Sequence, residues 1–195
     1  MTALIVLAAG NSSRLGYPKQ NLWFQNQTLL QRAVKTGLAS GCRPLIVMLG
    51  ANADAIEINN QGDVEVLYNA NWNEGIASSI RMAIKEVEKH KEVHQAIFML
   101  CDQPFVTPAL IEMLIQKSTE TIEPIIACSY DDTIGVPALF NSGLFPELSL
   151  LQGNEGARKI LKSHQHTISI VPFKLGSIDI DTTSDYERLC QSTIR

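Results

Sequence analysis

Leu7-Ala8-Ala9-Gly10-Asn11-Ser12-Ser13-Arg14-Leu15-Gly16-Tyr17-Pro18-Lys19-Gln20 is the stretch that decides the fold. It follows directly on an apolar run at residues 3–8. A short Ile/Val/Leu run that stops in small residues and glycine reads as a buried strand opening into a loop. The pattern repeats outward, with further strand-like runs at 44–49, 64–68, 96–101, 124–128, 136–140 and 167–172. Helix-period segments alternate with them at 28–39, 75–89, 108–116 and 156–163. In the first, Leu30, Ala33, Val34 and Leu38 share a face; in the second, Ile76, Ile80, Ala83, Ile84 and Val87 do. Thr107 is placed to cap the helix that Pro108 begins, where the missing N–H costs nothing. Ser184 and Glu187 have capping-box spacing ahead of Leu189 and Cys190. Alternating strands and helices predict an α/β protein, a three-layer α/β/α Rossmann-like sandwich around a mostly parallel mixed sheet. No repeat, low-complexity tract or Pro/Gly-rich linker divides the chain, so residues 1–195 are expected to form a single domain.

Composition narrows the class. With 195 residues, 45% hydrophobic and 18% charged, the chain has the make-up of a globular domain with one sizeable core. A net charge of −4 supplies no basic field for nucleic acid. The apolar runs are far shorter than the roughly 20 residues that span a bilayer, so no membrane partner is expected. The start shows no basic segment and no small-residue cleavage site, so no secretory signal is read. Cys42, Cys101, Cys128 and Cys190 lie far apart without a C-x-x-C pair, which suits reduced thiols and a cytoplasmic location.

In open α/β sheets the ligand sits outside the carboxyl ends of the strands, so residues that follow strands are searched for chemistry. Ala8, Ala9 and Gly10 let backbone N–H groups approach a ligand closely, and Gly10 and Gly16 permit the positive φ angles of an anion-binding nest. Arg14 and Lys19 bring a planar, bidentate cation and a point charge to the same loop. Together these residues describe a cradle for phosphates. It is neither a P-loop nor a G-x-G-x-x-G fingerprint. The pattern L-A-A-G-x-x-x-R-x-G-x-P-K-Q resembles the signature loop of the nucleotidyltransferases that include molybdenum cofactor cytidylyltransferases and their guanylyltransferase relatives. The resemblance implies the nucleotide-diphospho-sugar transferase type of fold. It also implies nucleotide contacts from Leu7, Ala8, Ala9 and Gly10, with Arg14 and Lys19 on the triphosphate.

Two acidic sites also follow strands. Asp102, in Cys101-Asp102-Gln103-Pro104, ends an apolar run and is stopped by Pro104, a rigid way to present oxygen to Mg²⁺ beside phosphates. In Asp179-Ile180-Asp181-Thr182, an extended chain points Asp179 and Asp181 the same way. Like charges so placed call for a cation near them, although Asp181 or Thr182 could also cap the last helix. L-x-D-Q-P and D-I-D-T-x-x-D-Y resemble two further motifs of the same family, in which the matching positions, Asp102 and Asp181, hold Mg²⁺.

The segment from Asn69 to Ile80 resembles the family's N-x-x-W-x-x-G-x-x-x-S stretch, which implies that Asn69, Gly75, Ser78 and Ser79 serve the nucleotide. A serine pair at a helix start offers hydroxyls and free N–H groups, or simply a cap. Gly135 and Pro137 fall in a G-x-P-x-L-F stretch, and Glu155 and Arg158 in a match to G-D-x-G-A-R; the resemblance assigns both to the acceptor side. Val136 stands where many members have His, and Asn154 where they have Asp, two departures expected on the acceptor half. His164 and His166 follow the basic Arg158, Lys159 and Lys162 and could help a phosphorylated acceptor, but read first as surface residues at a helix end; His90 and His94 read as a solvated helix end rather than a metal pair.

The expectation is a Mg²⁺-dependent nucleotidyltransferase. L-A-A-G fits the cytidylyl members, which implies CMP transfer from CTP to a phosphorylated pterin-type acceptor, molybdopterin, with release of pyrophosphate. A molybdenum enzyme would be the client. Guanylyl transfer, another acceptor for CMP, and a non-catalytic accessory or carrier role for a molybdenum hydroxylase stay open.

Overall fold

A computed structural model describes residues 1–56, 58 and 63–192. The strands are β1 (Thr2–Ala8), β2 (Trp23–Phe24), β3 (Gln27–Thr28), β4 (Leu45–Leu49), β5 (Val64–Tyr68), β6 (Gln95–Leu100), β7 (Ile125–Tyr130), β8 (Thr133–Asn141) and β9 (Ile168–Pro172). The helices are α1 (Leu29–Ala39), α2 (Ile76–Val87), α3 (Pro108–Thr119), α4 (Phe145–Leu148), α5 (Ala157–Ser163) and α6 (Thr183–Ser192). Seven strands form one sheet in the order β5-β4-β1-β6-β8-β7-β9. Only β8 runs against the others, pairing antiparallel with β6 and β7. The predicted three-layer, mostly parallel mixed sheet is the fold observed.

Strict alternation along the central strands builds two cores. Ala3, Ile5 and Leu7 face one side with Ile46, Met48 and Phe98, under α2, α4 and α5. Leu4, Val6 and Ala8 face the other with Leu45, Val47 and Met99, under α1 and α3. Because both faces are covered, strand residues are apolar at every position and not at every second one. Phe98 and Phe140, fully buried, meet edge to face with centroids 6.0 Å apart. Phe140→Ala is expected to cost about 3–5 kcal/mol, read as a lowered denaturant midpoint at unchanged m-value.

The β2–β3 pair and the short helix α4 lie outside the sequence reading, and two further features differ from it. The segment between 128 and 136 is a hairpin, with Asp131 and Asp132 at φ 42° and 55° joining longer strands β7 and β8. Such paired left-handed residues match the twist of the strands they connect. This hairpin is what reverses β8. The cap of α6 is Thr182, the alternative the sequence also offers, and not Ser184 with Glu187. Thr182 Oγ1 accepts from Asp185 N at 3.2 Å, and Asp185 Oδ2 accepts from Thr182 N at 2.8 Å. The other cap is as expected: Thr107 accepts from Leu110 N at the start of α3. Cys42, Cys101 and Cys128 are buried free thiols and Cys190 an exposed one. Among the described residues no helix is long and apolar enough to cross a membrane.

Candidate active site

The loop after β1 is shaped by a residue the sequence reading passed over. Gln20 is wholly buried, and its Nε2 donates to Ala8 O at 2.6 Å and Gly10 O at 3.1 Å, strapping the start of the loop. Farther along, the loop turns on Ser12 (φ 53°) and Gly16 (φ 67°), with Lys19 N donating to Ser12 Oγ at 3.0 Å. Gly10 does not take the positive φ expected of it. Its use is room, since a Cβ there would meet no protein atom within 4 Å on the side of the cleft.

Lys19 is then carried back over the strand ends. Its Nζ donates to Asp102 Oδ2 and, at 2.9 Å, to Asp181 Oδ1. Arg14 reaches Asp181 Oδ2 at 3.4 Å from an exposed position. Residues far apart in sequence thus form one cluster of two cations and two carboxylates. Burial by itself would lower the Lys19 pKa, but the Asp102 charge and hydrogen bond, with help from Asp181, outweigh it and hold the ammonium above the usual lysine range. Asp179 is raised, first by burial and then by the charges of Asp102 and Asp181. Asp181 is steadied from behind. Asp185 accepts from the N–H groups of Asp181 and Thr182, and chiefly the Thr182 hydroxyl bond keeps its carboxyl below the usual range.

The cluster borders a cleft of about 390 Å³ lined by Leu7, Ala8, Ala9, Gly10, Lys19, Gly75, Ser79 and Asp102, together with Trp72, Asn73 and Asn154. Eight of the positions read from sequence therefore share one chamber. Asn69 and Ser78 lie behind its wall. Asn69 Nδ2 donates to Ser78 Oγ at 2.7 Å and Ser79 Oγ at 2.9 Å, and Ser78 Oγ donates to Gly75 O at 2.8 Å. Two N–H groups at the start of α2 are not free either, for Ala77 N is bound to Gly153 O and Ser78 N to Gly75 O.

Asn154 lines this first chamber and not the second. Gly75, at φ 121°, lets the chain at Gly153 and Asn154 press against α2, where a Cβ would collide with Gly153 O. Arg81 holds that contact, bidentate to Glu74 at 2.6 Å and donating to Leu151 O at 2.8 Å.

A second chamber of similar size continues from the first across Leu7, Ile76 and Leu100. Gly135, Val136 and Arg158 line it, with Gln103, Tyr130 and Asp179. Pro137 is buried within β8, and Glu155 is tied to Lys159 at 2.6 Å and to Gln152 N, so neither lines a chamber. His164 pairs with Glu147 at 2.9 Å, away from both chambers.

A divalent cation is tested by the donors present. Asp102 is 6% exposed and its Oδ1 has no partner, while its other oxygen and Asp181 already share the charge of Lys19. Hard carboxylate oxygens, one of them without a partner, suit Mg²⁺ or Mn²⁺ beside phosphates. Elsewhere, among the described residues, Glu65, Glu86 and His90 bring three ligand atoms within 4.8 Å of one another. They lie at the opposite end of the sheet, where β5 begins and α2 ends, remote from either chamber.

Fold and site together define a nucleotide-handling α/β/α domain with its chambers at the carboxyl ends of β1 and β6. Residues 4–168 match the MobA-like NTP transferase domain, and the chain belongs to that family of nucleotidyltransferases. The crystal structure of Rv0371c from Mycobacterium tuberculosis H37Rv superposes with a TM-score of 0.82 at 34% identity, covering 97% of both chains. A further structure of Rv0371c is a complex with manganese, with a TM-score of 0.80 at 31% identity over 98% of both chains. Nicotine blue oxidoreductase of Paenarthrobacter nicotinovorans is 29% identical over 95% of this chain and 94% of its own. Molybdenum cofactor cytidylyltransferase of Escherichia coli K12 is 28% identical over 43% of this chain and 44% of its own.

Proposed function

We propose that this protein is a cytoplasmic, Mg²⁺-dependent cytidylyltransferase. It would move CMP from CTP onto a phosphorylated pterin-type acceptor, molybdopterin, release pyrophosphate, and pass its product to a molybdenum enzyme. The observation that carries the reading is the Lys19–Asp102–Asp181 cluster bordering the first of two joined chambers, one beneath the β1 loop and one beside Arg158. The manganese complex of Rv0371c and the cytidylyltransferase relative support it. The oxidoreductase name belongs to its bearer.

The acceptor phosphate is ionised at neutral pH, so no protein nucleophile or strong base is needed, and the protein supplies position and charge. The strapped loop Ala8–Gly10 lays its backbone along the nucleotide. Lys19 and Arg14 stabilise the charge that develops on pyrophosphate. Asp102 and Asp181 would hold Mg²⁺, which when bound neutralises phosphate oxygens. Arg158 draws the acceptor phosphate into the second chamber, and the apolar saddle of Leu7, Ile76 and Leu100 excludes water between the two substrates.

Thermal unfolding against CTP, GTP, ATP and UTP, with and without Mg²⁺, tests the reading. A ligand at 100 times its dissociation constant adds about 2.7 kcal/mol, a rise of about 5–10 °C at this size. A Mg²⁺-dependent rise with CTP is expected. A rise with GTP alone would move the assignment to guanylyl transfer. Silence with every nucleotide would favour the accessory or carrier role.

A further inference from the structure

Gln103 follows Asp102 at the end of β6 and is 6% exposed. Its Nε2 donates to Val136 O and Gly176 O, each at 3.1 Å. Two carbonyls thus fix which end of the amide is nitrogen, and Oε1 is left as a buried acceptor with no partner. Proteins rarely leave a buried acceptor unmet, because its lost hydration is not returned. Gln103 lines the second chamber, so this acceptor stands beside the space where a ligand would lie.

The surroundings of Gln103 are built and not incidental. Tyr130 is slotted against Gly135 and Gly176, where a Cβ on either glycine would collide with its ring or hydroxyl. Its Oη donates to the same Val136 O at 3.3 Å. Ile180 N donates to Asp102 O at 3.1 Å, which lays the segment carrying Asp179 alongside Asp102 and Gln103. The chamber therefore offers acceptors in Gln103 Oε1 and the carboxylates of Asp131 and Asp179, with the Arg158 cation and the hydroxyls of Tyr130, Thr133 and Ser177 as donors in its walls. Its continuation toward the first chamber is apolar.

We propose that Gln103 is a specificity-determining residue of this chamber. Its Oε1 accepts from the donor edge of a flat heterocycle, an amine beside a ring N–H, while Arg158 holds an anionic group on the same molecule. The inference rests on reading the second chamber as the acceptor site. It adds the hydrogen-bonding pattern by which the acceptor is chosen.

The test is a pair of fluorescent probes that differ on that edge, 6-carboxypterin with an amine at position 2 and 6-carboxylumazine with an oxygen there. Binding of each is measured by fluorescence quenching, on the wild type and on Gln103→Met, with CTP and Mg²⁺ present throughout. The wild type is expected to prefer the pterin by about tenfold or more, as sites built for a hydrogen bond reject the analogue that lacks it. Gln103→Met should bring the two probes to within about twofold. A merely structural glutamine would weaken both probes equally and leave the preference standing, which overturns the proposal. Should the variant fail to fold, equal binding of the two probes by the wild type overturns it alone. No binding of either probe by protein that responds to CTP also overturns it, and leaves nucleotidyl transfer intact. A pterin preference without any nucleotide response does the reverse.

Discussion

Asp102→Asn is expected to lower the rate of pyrophosphate release by about a thousandfold or more while the protein stays folded. Asparagine has the shape of aspartate and can still accept from Lys19, so packing at the end of β6 is kept. What it loses is charge, at a position 6% exposed where one carboxylate oxygen has no partner and the other is held by Lys19. An amide is also a poor ligand for a hard cation next to phosphates. The effect on Lys19 has a definite sign. Burial pulls its pKa down and the Asp102 charge pushes it up past that, so without the charge the folded-state value falls. A raised lysine pKa stabilises the fold at every pH below about 10.4, its ordinary value, and the benefit fades as pH rises through the folded value. The variant should therefore be less stable across the neutral range, read as a lowered denaturant midpoint at neutral pH. Turnover within tenfold of wild type would remove Asp102 from the catalytic machinery.

Asp102 was legible in the sequence because its setting is local: an apolar run, a carboxylate, a glutamine and a proline. The same holds for the loop from Leu7 to Gln20, where small residues, glycines and two cations succeed one another without interruption. What the sequence could not show is that Lys19 lies against Asp102 and Asp181, which are 83 and 162 residues away along the chain. Such contacts are made by the order in which the strands pair, and no local pattern encodes that order. The hairpin at Asp131-Asp132 escaped for a different reason. Two-residue turns of this kind are signalled by Asn-Gly or Asp-Gly, and here two aspartates adopt the left-handed conformation without a glycine.

The glutamines were missed because glutamine is mostly a surface residue, and nothing in composition marks one that is buried. Gln20 and Gln103 are both interior, each with its amide nitrogen on two backbone carbonyls and its oxygen unmet. Each follows a residue of the charged cluster. The pairs Lys19-Gln20 and Asp102-Gln103 thus put one side chain into the cluster and the next into the backbone that supports a chamber. Asn154 shows the converse. Its place in a motif assigned it to the acceptor, but the close contact of Gly75 with Gly153 turns it toward the first chamber. Asn154 therefore lines the first chamber and Val136 the second.

Lys19→Met should separate the two tasks of this lysine. In the structure its ammonium occupies the ground between Asp102 and Asp181, where a divalent cation would also be drawn. A triphosphate bound with its metal would offer the lysine a new set of oxygens, and the ammonium would then be free to leave the carboxylates to the cation. Without the lysine, two carboxylates, one of them buried, face each other with only the exposed Arg14 nearby. Like charges so confined repel, and breaking a buried pair on one side costs about 3 kcal/mol or more. Three results are then expected together. The variant melts lower than wild type in chelator. Mn²⁺ alone, titrated by its paramagnetic resonance signal, binds the variant several-fold tighter than wild type and restores much of the lost stability. CTP with Mg²⁺ binds about tenfold or more weakly, because the charge that met the phosphates is gone. Weaker Mn²⁺ binding by the variant would show that the lysine does not stand in the cation's place. The two carboxylates would then be holding Lys19 for its own sake, as an anchor for the loop from Ser12 to Gln20.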